Sequence, residues 1–280
     1  SKFQDEPLTV GAPDWPLPAT LSRPNGVELP PLVILVHGSG PHDRDETIGP
    51  NHPFRDLAHG LASRGIAVLR FEKRTFAHKQ KLVADEAAVA KITVEEEVVA
   101  DVLATIARAR TLSGINRDRI FVLGHSLGGT LAPAIAKRDG KLAGIILLAA
   151  SNRPPEVLLS EQLAYVATVD TDQAEATHKL RKEVEEGFAK LNAGQALDSD
   201  KIMGAPVAYW KSWKALEPAK TAASLTDLPI LVLQGGRDYQ VTEADYRDFH
   251  EALQGRPHAT FHLYSDLNHL FQKGENKAVP

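Results

Sequence analysis

Several short runs in this chain are apolar almost without interruption: Leu32-Val33-Ile34-Leu35-Val36, Ile66 to Phe71, Arg119 to Leu123 and Leu142 to Ala150. A strand with one wet face alternates apolar and polar residues, so runs of this kind describe strands covered on both faces. The segments between them have helical period. In 53–64, Phe54, Leu57, Ala58 and Leu61 share one face, with Pro53 suited to the first turn and Gly65 to the C-terminal cap. Thr93-Val94-Glu95-Glu96 is a capping box opening a helix with the stripe Val94, Val98, Val102 and Ile106, and a third helix runs from Leu127 to Lys137. Doubly covered strands that alternate with helices specify a mostly parallel central sheet flanked by helices, an α/β fold.

The rest of the chain is fitted around that sheet. Leu8 to Pro24 reads as two short strands about the Pro-rich turn Gly11 to Pro18, an antiparallel edge. From about Asn152 to Ser224 no strand is evident, but helical stripes are, among them Leu180, Val184, Phe188 and Leu191. After Pro229 the alternation resumes with a strand at Ile230 to Leu233, a helix at Thr242 to Leu253 and a strand at Thr260 to Tyr264. Residues 1–151 and 225–280 are therefore expected to form the core, and 152–224 a helical cap inserted into it. A chain of 280 residues with 43% hydrophobic content can bury one large core carrying such an insertion.

Composition removes several function classes. The net charge of −4 comes from well-mixed charges, with no basic face for nucleic acid. There is no cysteine, which excludes disulfides, a thiolate nucleophile and sulfur-ligated zinc. The longest apolar stretch, 142–150, is about half of what a spanning helix needs. The start at Ser1-Lys2-Phe3 lacks the basic and apolar regions of a signal peptide. The expectation is a soluble chain, either cytoplasmic or exported after removal of a signal.

The chemistry centres on Gly124-His125-Ser126-Leu127-Gly128. A serine hydroxyl needs an adjacent base and an accessible position to act as a nucleophile. In G-x-S-x-G between a strand and a helix, the serine stands on a sharp turn whose glycines keep side chains clear of the neighbouring elements. Here the motif follows Ile120-Phe121-Val122-Leu123 and opens the small-residue helix Gly128-Gly129-Thr130-Leu131-Ala132. The partners are then sought in the order acid, histidine, on loops after later strands. Asp238, in Gln234-Gly235-Gly236-Arg237-Asp238, and His269, in Asp266-Leu267-Asn268-His269, meet that requirement. His125 adjoins the serine and should point away from the shared site. The backbone N–H groups of Leu127 and of Ser39, in His37-Gly38-Ser39-Gly40, are the candidate oxyanion donors.

These residues resemble the α/β-hydrolase superfamily, especially bacterial carboxylesterases related to dienelactone hydrolases and prolyl-oligopeptidase-type enzymes. The likeness extends over roughly Pro30 to Phe271 and includes the long run from His37 to Asn51, which looks like the first loop of that esterase group. The resemblance implies an α/β-hydrolase fold, Ser126, Asp238 and His269 as the triad, Ser39 and Leu127 as oxyanion donors, and a small-molecule ester as substrate. The chain departs from the pattern after His269, where such folds usually add a final helix and only 270–280 remain.

Other features leave alternatives open. Asp43, Arg44, Asp45, Glu46, Arg70, Glu72, Lys73 and Arg74 fall in loops on the active-site side. They read as an ion-pair network holding the first loop in preference to a polar-substrate site. His42-Asp43-Arg44-Asp45 has no second histidine at a ligand spacing, and the chemistry calls for no metal or cofactor. Tyr209, Trp210 and Trp213 either line an acyl pocket or pack within the cap. Two rival functions remain: a peptidase or amidase using the same triad, and a non-catalytic binding protein that kept the fold.

Overall fold

The computed structural model describes residues 2–279; the terminal Ser1 and Pro280, assigned from sequence to the core, lie outside the described residues. The first strands are β1 (Phe3–Val10), β2 (Leu17–Pro24), β3 (Leu32–Val36) and β4 (Ala67–Phe71), with α1 (Pro53–Ala62) between the last two. Three helical turns follow, α2 (Arg74–Ala77), α3 (Lys79–Val83) and α4 (Glu86–Val89), the first of them beginning at Arg74, which the sequence had placed in a loop. A π-helical turn, Glu95–Val99, leads into α5 (Ala100–Ala109), and β5 (Ile120–His125), α6 (Leu127–Asp139) and β6 (Gly144–Leu148) complete the first half.

Between β6 and the next sheet strand lie α7 (Pro155–Val169), α8 (Ala174–Asn192), a two-residue hairpin of β7 (Lys201–Ile202) and β8 (Ala205–Pro206), α9 (Val207–Lys214) and α10 (Pro218–Ser224). The hairpin is too short to leave a period-two signature, which is why residues 152–224 read as purely helical. α10 packs against α6 and against α11 (Glu243–Ala252), so the last helix of that stretch sits with the sheet's own helices. β9 (Ile230–Gly235) and β10 (Ala259–Tyr264) finish the sheet.

Among the described residues the large sheet has eight strands in the order β1-β2-β4-β3-β5-β6-β9-β10. β1 and β2 are antiparallel, as is the β2–β4 junction, and every pairing from β4 to β10 is parallel. β3, buried along its whole length, shows why these strands need no alternation. Leu32, Ile34 and Val36 enter a core with Val102 and Ile106 of α5 and Leu131 and Ile135 of α6, while Val33 and Leu35 pack on the opposite face against Phe54 and Ala58 of α1. The capping box forms as spaced, with Thr93 N and Oγ1 both donating to Glu96 Oε2 at 2.9 and 2.5 Å. Residues 270–279 form no helix. They turn back across the loop after β9, held where Arg237 Nε donates to Asn276 O at 2.8 Å and Tyr165 Oη to Ala278 O at 2.7 Å.

Because β3, β5, β9 and β10 are parallel, their following loops all emerge along one edge of the sheet. That edge gathers side chains from residues far apart in sequence, and crevices there are where ligands bind in folds of this type.

Candidate active site

Ser126 stands between β5 and α6 with φ 55° and ψ −119°, a left-handed conformation that costs a non-glycine residue about 1–3 kcal/mol. The surrounding structure imposes it. Ser126 N donates to Leu148 O at 2.9 Å on the neighbouring strand, and Ser126 O accepts from Thr130 N at 3.0 Å in the helix. A side chain at Gly124 would run into the Gly128 backbone, and one at Gly128 into the Val36 carbonyl. The motif's glycines are thus required by the close approach of strand, helix and β3. Gly38 serves the same end, since a Cβ there would meet Ser126 Cβ at 3.3 Å.

Asp238 and His269 are brought together. His269 Nδ1 lies 2.6 Å from Asp238 Oδ2, and both residues are buried. The other carboxylate oxygen, Oδ1, accepts the backbone N–H groups of Gln240 at 2.8 Å and Val241 at 2.9 Å, so the acid is held at both ends. Asn268 shapes the histidine loop, its Oδ1 accepting from Leu270 N and Gln272 N. With Nδ1–H committed to the carboxylate, Nε2 is the nitrogen left to act as a base. Ser126 Oγ and His269 Nε2 are not hydrogen-bonded to each other among the described residues. The two loops are nevertheless neighbours, as the His125 and His269 rings are 4.7 Å apart. Such contacts are often long before substrate binds.

Neither Leu127 N–H nor Ser39 N–H is engaged by an acceptor among the described residues. Leu127 is the first residue of α6, where backbone N–H groups have no intrahelical partner. Ser39 is oriented from behind. Lys73 Nζ, on a residue only 2% exposed, donates to Gly38 O at 2.9 Å and Gly40 O at 2.8 Å. The Gly38 carbonyl and the Ser39 N–H belong to one planar trans peptide and point opposite ways, so the ammonium that anchors one fixes the other.

Glu46 ties this loop to the histidine. Its Oε1 accepts from Gly38 N at 2.8 Å and its Oε2 lies 2.8 Å from His125 Nδ1, while His125 Nε2 reaches the His269 carbonyl at 2.9 Å. Both imidazole nitrogens face acceptors, so the ring satisfies both only as an imidazolium. Burial opposes the Glu46 carboxylate, but the attraction of His125 and the hydrogen bonds from His125 and Gly38 outweigh it and hold its pKa at about 2 instead of 4.5. Burial also opposes the His125 cation. Glu46 outweighs that as well, and His125 titrates above its usual 6.5.

The pair therefore stabilises the fold fully between pH 4.5 and 6.5. The glutamate's share fades as pH falls toward 2, and the histidine's as pH rises through its elevated pKa. Glu46→Gln is expected to destabilise the protein by about 3 kcal/mol within that window. Urea unfolding at about pH 3, 5.5 and 8.5 should show the deficit largest at the middle value, and a deficit equal at all three would contradict the ion-pair assignment.

The other loop charges are paired. Arg44 meets Glu72 at 2.7 Å, Arg74 meets Asp101 at 2.6 Å, and Arg70 binds Asp45 and, at 3.2 Å, Asp5. This is the network favoured from sequence, with Asp5 and Asp101 added to it. His42 Nε2 contacts Ser39 O, and Asp43 caps Thr47. Among the described residues no cluster of three or more His, Cys, Asp or Glu side chains is placed to hold a metal ion. No helix among them is long and apolar enough to cross a membrane.

A cavity of about 910 Å³ opens above the elbow, and Ser39 and Ser126 line it. Tyr209, Trp210 and Trp213 line it too, while also packing on one another, with Trp210 and Trp213 stacked at 5.7 Å. The two readings of these aromatics are therefore compatible. Glu97, another wall residue, was not singled out from sequence. Nothing in the sequence marks it, since the four-residue spacing of Val94 and Val98 continues unchanged through Val102 and Ile106 in the regular helix α5.

Residues 30–276 match the family model Hydrolase_4, described as serine aminopeptidase, S33. The chain is 38% identical over 281 residues to esterase EstD of Thermotoga maritima, an alignment that takes in 99% of this chain and 62% of that protein. It thus spans less than two thirds of that relative's length. Among solved structures, Est1E from Butyrivibrio proteoclasticus superposes with a TM-score of 0.62 at 15% identity, over 95% of this chain and 90% of that one. Pyrococcus horikoshii acylaminoacyl peptidase superposes with a TM-score of 0.62 at 15% identity, over 96% of this chain and 38% of that one. At such identities these two likenesses concern the fold alone.

Proposed function

The chain belongs to the Hydrolase_4 family of α/β-hydrolases, and on that premise we propose that it hydrolyses carboxylic esters through an acyl-enzyme on Ser126. The observation that carries the reading is Ser126 itself, held in a strained turn at the wall of a large cavity, near the buried Asp238–His269 pair that the loops after β9 and β10 bring together. The resemblance to a protein named as an esterase favours an ester as substrate.

In this mechanism His269 Nε2 takes the Ser126 proton as Oγ attacks the ester carbonyl, and Asp238 stabilises the imidazolium that forms. The carbonyl oxygen becomes an oxyanion received by the N–H groups of Ser39 and Leu127. The C–O bond to the alcohol breaks, and the alcohol leaves with the proton from His269. Water, deprotonated by the same histidine, then attacks the acyl-enzyme, releasing the acid and restoring Ser126. Lys73 and Glu46 act as positioning residues, the first on the Ser39 peptide and the second on both loops.

Stopped-flow hydrolysis of an activated aryl ester should give a burst of about one equivalent of phenol per chain before the steady state. A fluorophosphonate should label Ser126 and abolish that burst. Absence of both would support a non-catalytic protein instead. The family's description favours a second reading, an aminopeptidase using the same groups. Parallel assays of short acyl esters and aminoacyl amides discriminate: faster turnover of the amides would replace the ester reading.

A further inference from the structure

The hairpin of β7 and β8 carries at its tip a residue that the turn itself disfavours. Ile202 pairs with Ala205, and the two residues between them, Met203 and Gly204, have φ of 48° and 77°. Both are left-handed, as a two-residue turn between paired strands requires. Asn, Asp and Gly meet that requirement readily, whereas a bulky side chain is an outlier there. Packing does not account for the choice. Met203 is 50% exposed and, among the described residues, joins neither hydrophobic cluster. Its neighbour Ile202 anchors the hairpin instead. Ile202 is 4% exposed, its carbonyl accepts from Trp210 Nε1 at 3.0 Å, and Gly187 of α8 leaves room for it, since a Cβ there would meet Ile202 Cγ1 at 2.9 Å. The hairpin is thus fixed at its base, and its tip stands on the wall of the cavity that Ser126 also lines.

A singly exposed apolar residue needs no explanation. One kept in a strained conformation on a cavity wall does, because strain of this kind collects where ligands are held. From this geometry we infer that Met203 is a specificity-determining residue whose thioether side chain packs against the outer part of a long or bulky apolar group of the substrate. The cavity, about 910 Å³, is large, since sites for drug-sized ligands run from about 300 to 1,000 Å³. Leu82, Ile92, Leu158 and Trp213 make much of its wall apolar, and Val83 of α3, 69% exposed, adds a second apolar side chain that meets solvent. A short acyl group on Ser126 would leave most of this surface in water, and an extended one would cover it. Methionine suits the task because its unbranched, polarizable side chain adapts to the group it meets.

The inference rests on the ester-hydrolase reading of this cavity, but binding decides it and turnover does not. In Ser126→Ala protein, titrations read from tryptophan fluorescence would compare two sets of esters, one lengthened carbon by carbon in the acyl chain and the other in the alcohol. In one set or the other affinity should rise with length. Met203→Asn in that background should lower the ratio of long-chain to short-chain affinity about tenfold, the contact of roughly two buried methylene groups. The same substitution should raise the urea midpoint, because asparagine fits the turn. Met203→Leu keeps an apolar side chain in the strained position and should hold the ratio within about twofold of the parent.

Oxidation gives the same test without a substitution at the tip. Met203 is the one methionine of the chain and there is no cysteine, so mild peroxide has a single sulfur to act on. Conversion of the thioether to the polar sulfoxide should lower the affinity ratio, and methionine sulfoxide reductase should restore it. A ratio that neither Met203→Asn nor oxidation changes would overturn the inference, and so would affinities that do not rise with length in either set. A lowered urea midpoint with an equal loss of affinity at every length would also overturn it, by giving Met203 a role in the hairpin alone. The two readings fail separately. Wild-type protein that binds long esters through Met203 yet turns over no ester would remove the Ser126 reading and keep this one, and turnover of esters with an unchanging ratio would do the reverse.

Discussion

Replacing Ser126 by alanine is expected to lower kcat for an activated ester by about 10⁶-fold, with substrate binding largely kept. The size follows from the proposed division of labour. Without Oγ no acyl-enzyme can form, and neither His269 nor Asp238 has a proton to move in its place. What survives is the orientation of the ester and the oxyanion donors acting on direct attack by water, the remnant left when a triad's nucleophile is removed. Removing Oγ also leaves the backbone contacts of the turn, to Leu148 and Thr130, untouched. The variant should therefore fold normally, and steady-state assays beside a fluorescence titration would separate kcat from affinity. A loss of tenfold or less would mean that another group is the nucleophile.

The second large effect is expected at Asp238→Asn, about 10⁴-fold in kcat, and the hydrogen bonds around the carboxylate give the reason. Oδ1 accepts two backbone N–H groups, from Gln240 and Val241, so an amide must present its oxygen on that side. Its NH2 then faces His269 Nδ1, which is compelled to accept. The proton moves to Nε2, and the nitrogen that should receive the serine proton already carries one. The side chain's shape is conserved, so the fold and KM should change little. Nitrogen-15 spectra of the imidazole would report the exchange of tautomers directly. Activity within tenfold of wild type would show that His269 does not depend on this acid.

Local patterns in the sequence carried much of this. Apolar runs almost without interruption located β3 to β6, because burial on both faces leaves little place for a polar residue in a strand, the ion-paired Arg70 of β4 being an exception. G-x-S-x-G between a strand and a helix located the elbow. Asp238 and His269 could be named from their place after later strands. Their environment could not. Glu46 and His125 are 79 residues apart in sequence, and His125 and the His269 carbonyl 144 apart. No periodicity records such contacts, which depend on loops converging at the end of a parallel sheet. His125 illustrates the limit well: it was expected to point away from the shared site, and it does not line the cavity, but its ring lies 4.7 Å from that of His269 and nothing suggested that it would hold the backbone of the proposed base. Glu97 was hidden for a different reason. Inside an acidic, helix-forming run its neighbours Glu95 and Glu96 look equivalent to it, and only the π turn and the packing of Lys73 set it apart.

Glu46 has a consequence for how a protein of this kind can be rebuilt. One buried carboxylate grips the peptide beside the proposed oxyanion donor and, through His125, the carbonyl of the proposed base. Loops at the ends of strands are the parts most readily exchanged between scaffolds. Here the loop after β3 and the loop after β10 are not separate modules. A chimaera that imports either one alone brings a foreign partner to a fixed imidazole, and is expected to lose both halves of the site together. α7 and α9 line the cavity through residues such as Leu158 and Trp210, are not among the hydrogen-bond partners of this carboxylate in the described residues, and are the natural place to graft new substrate preferences.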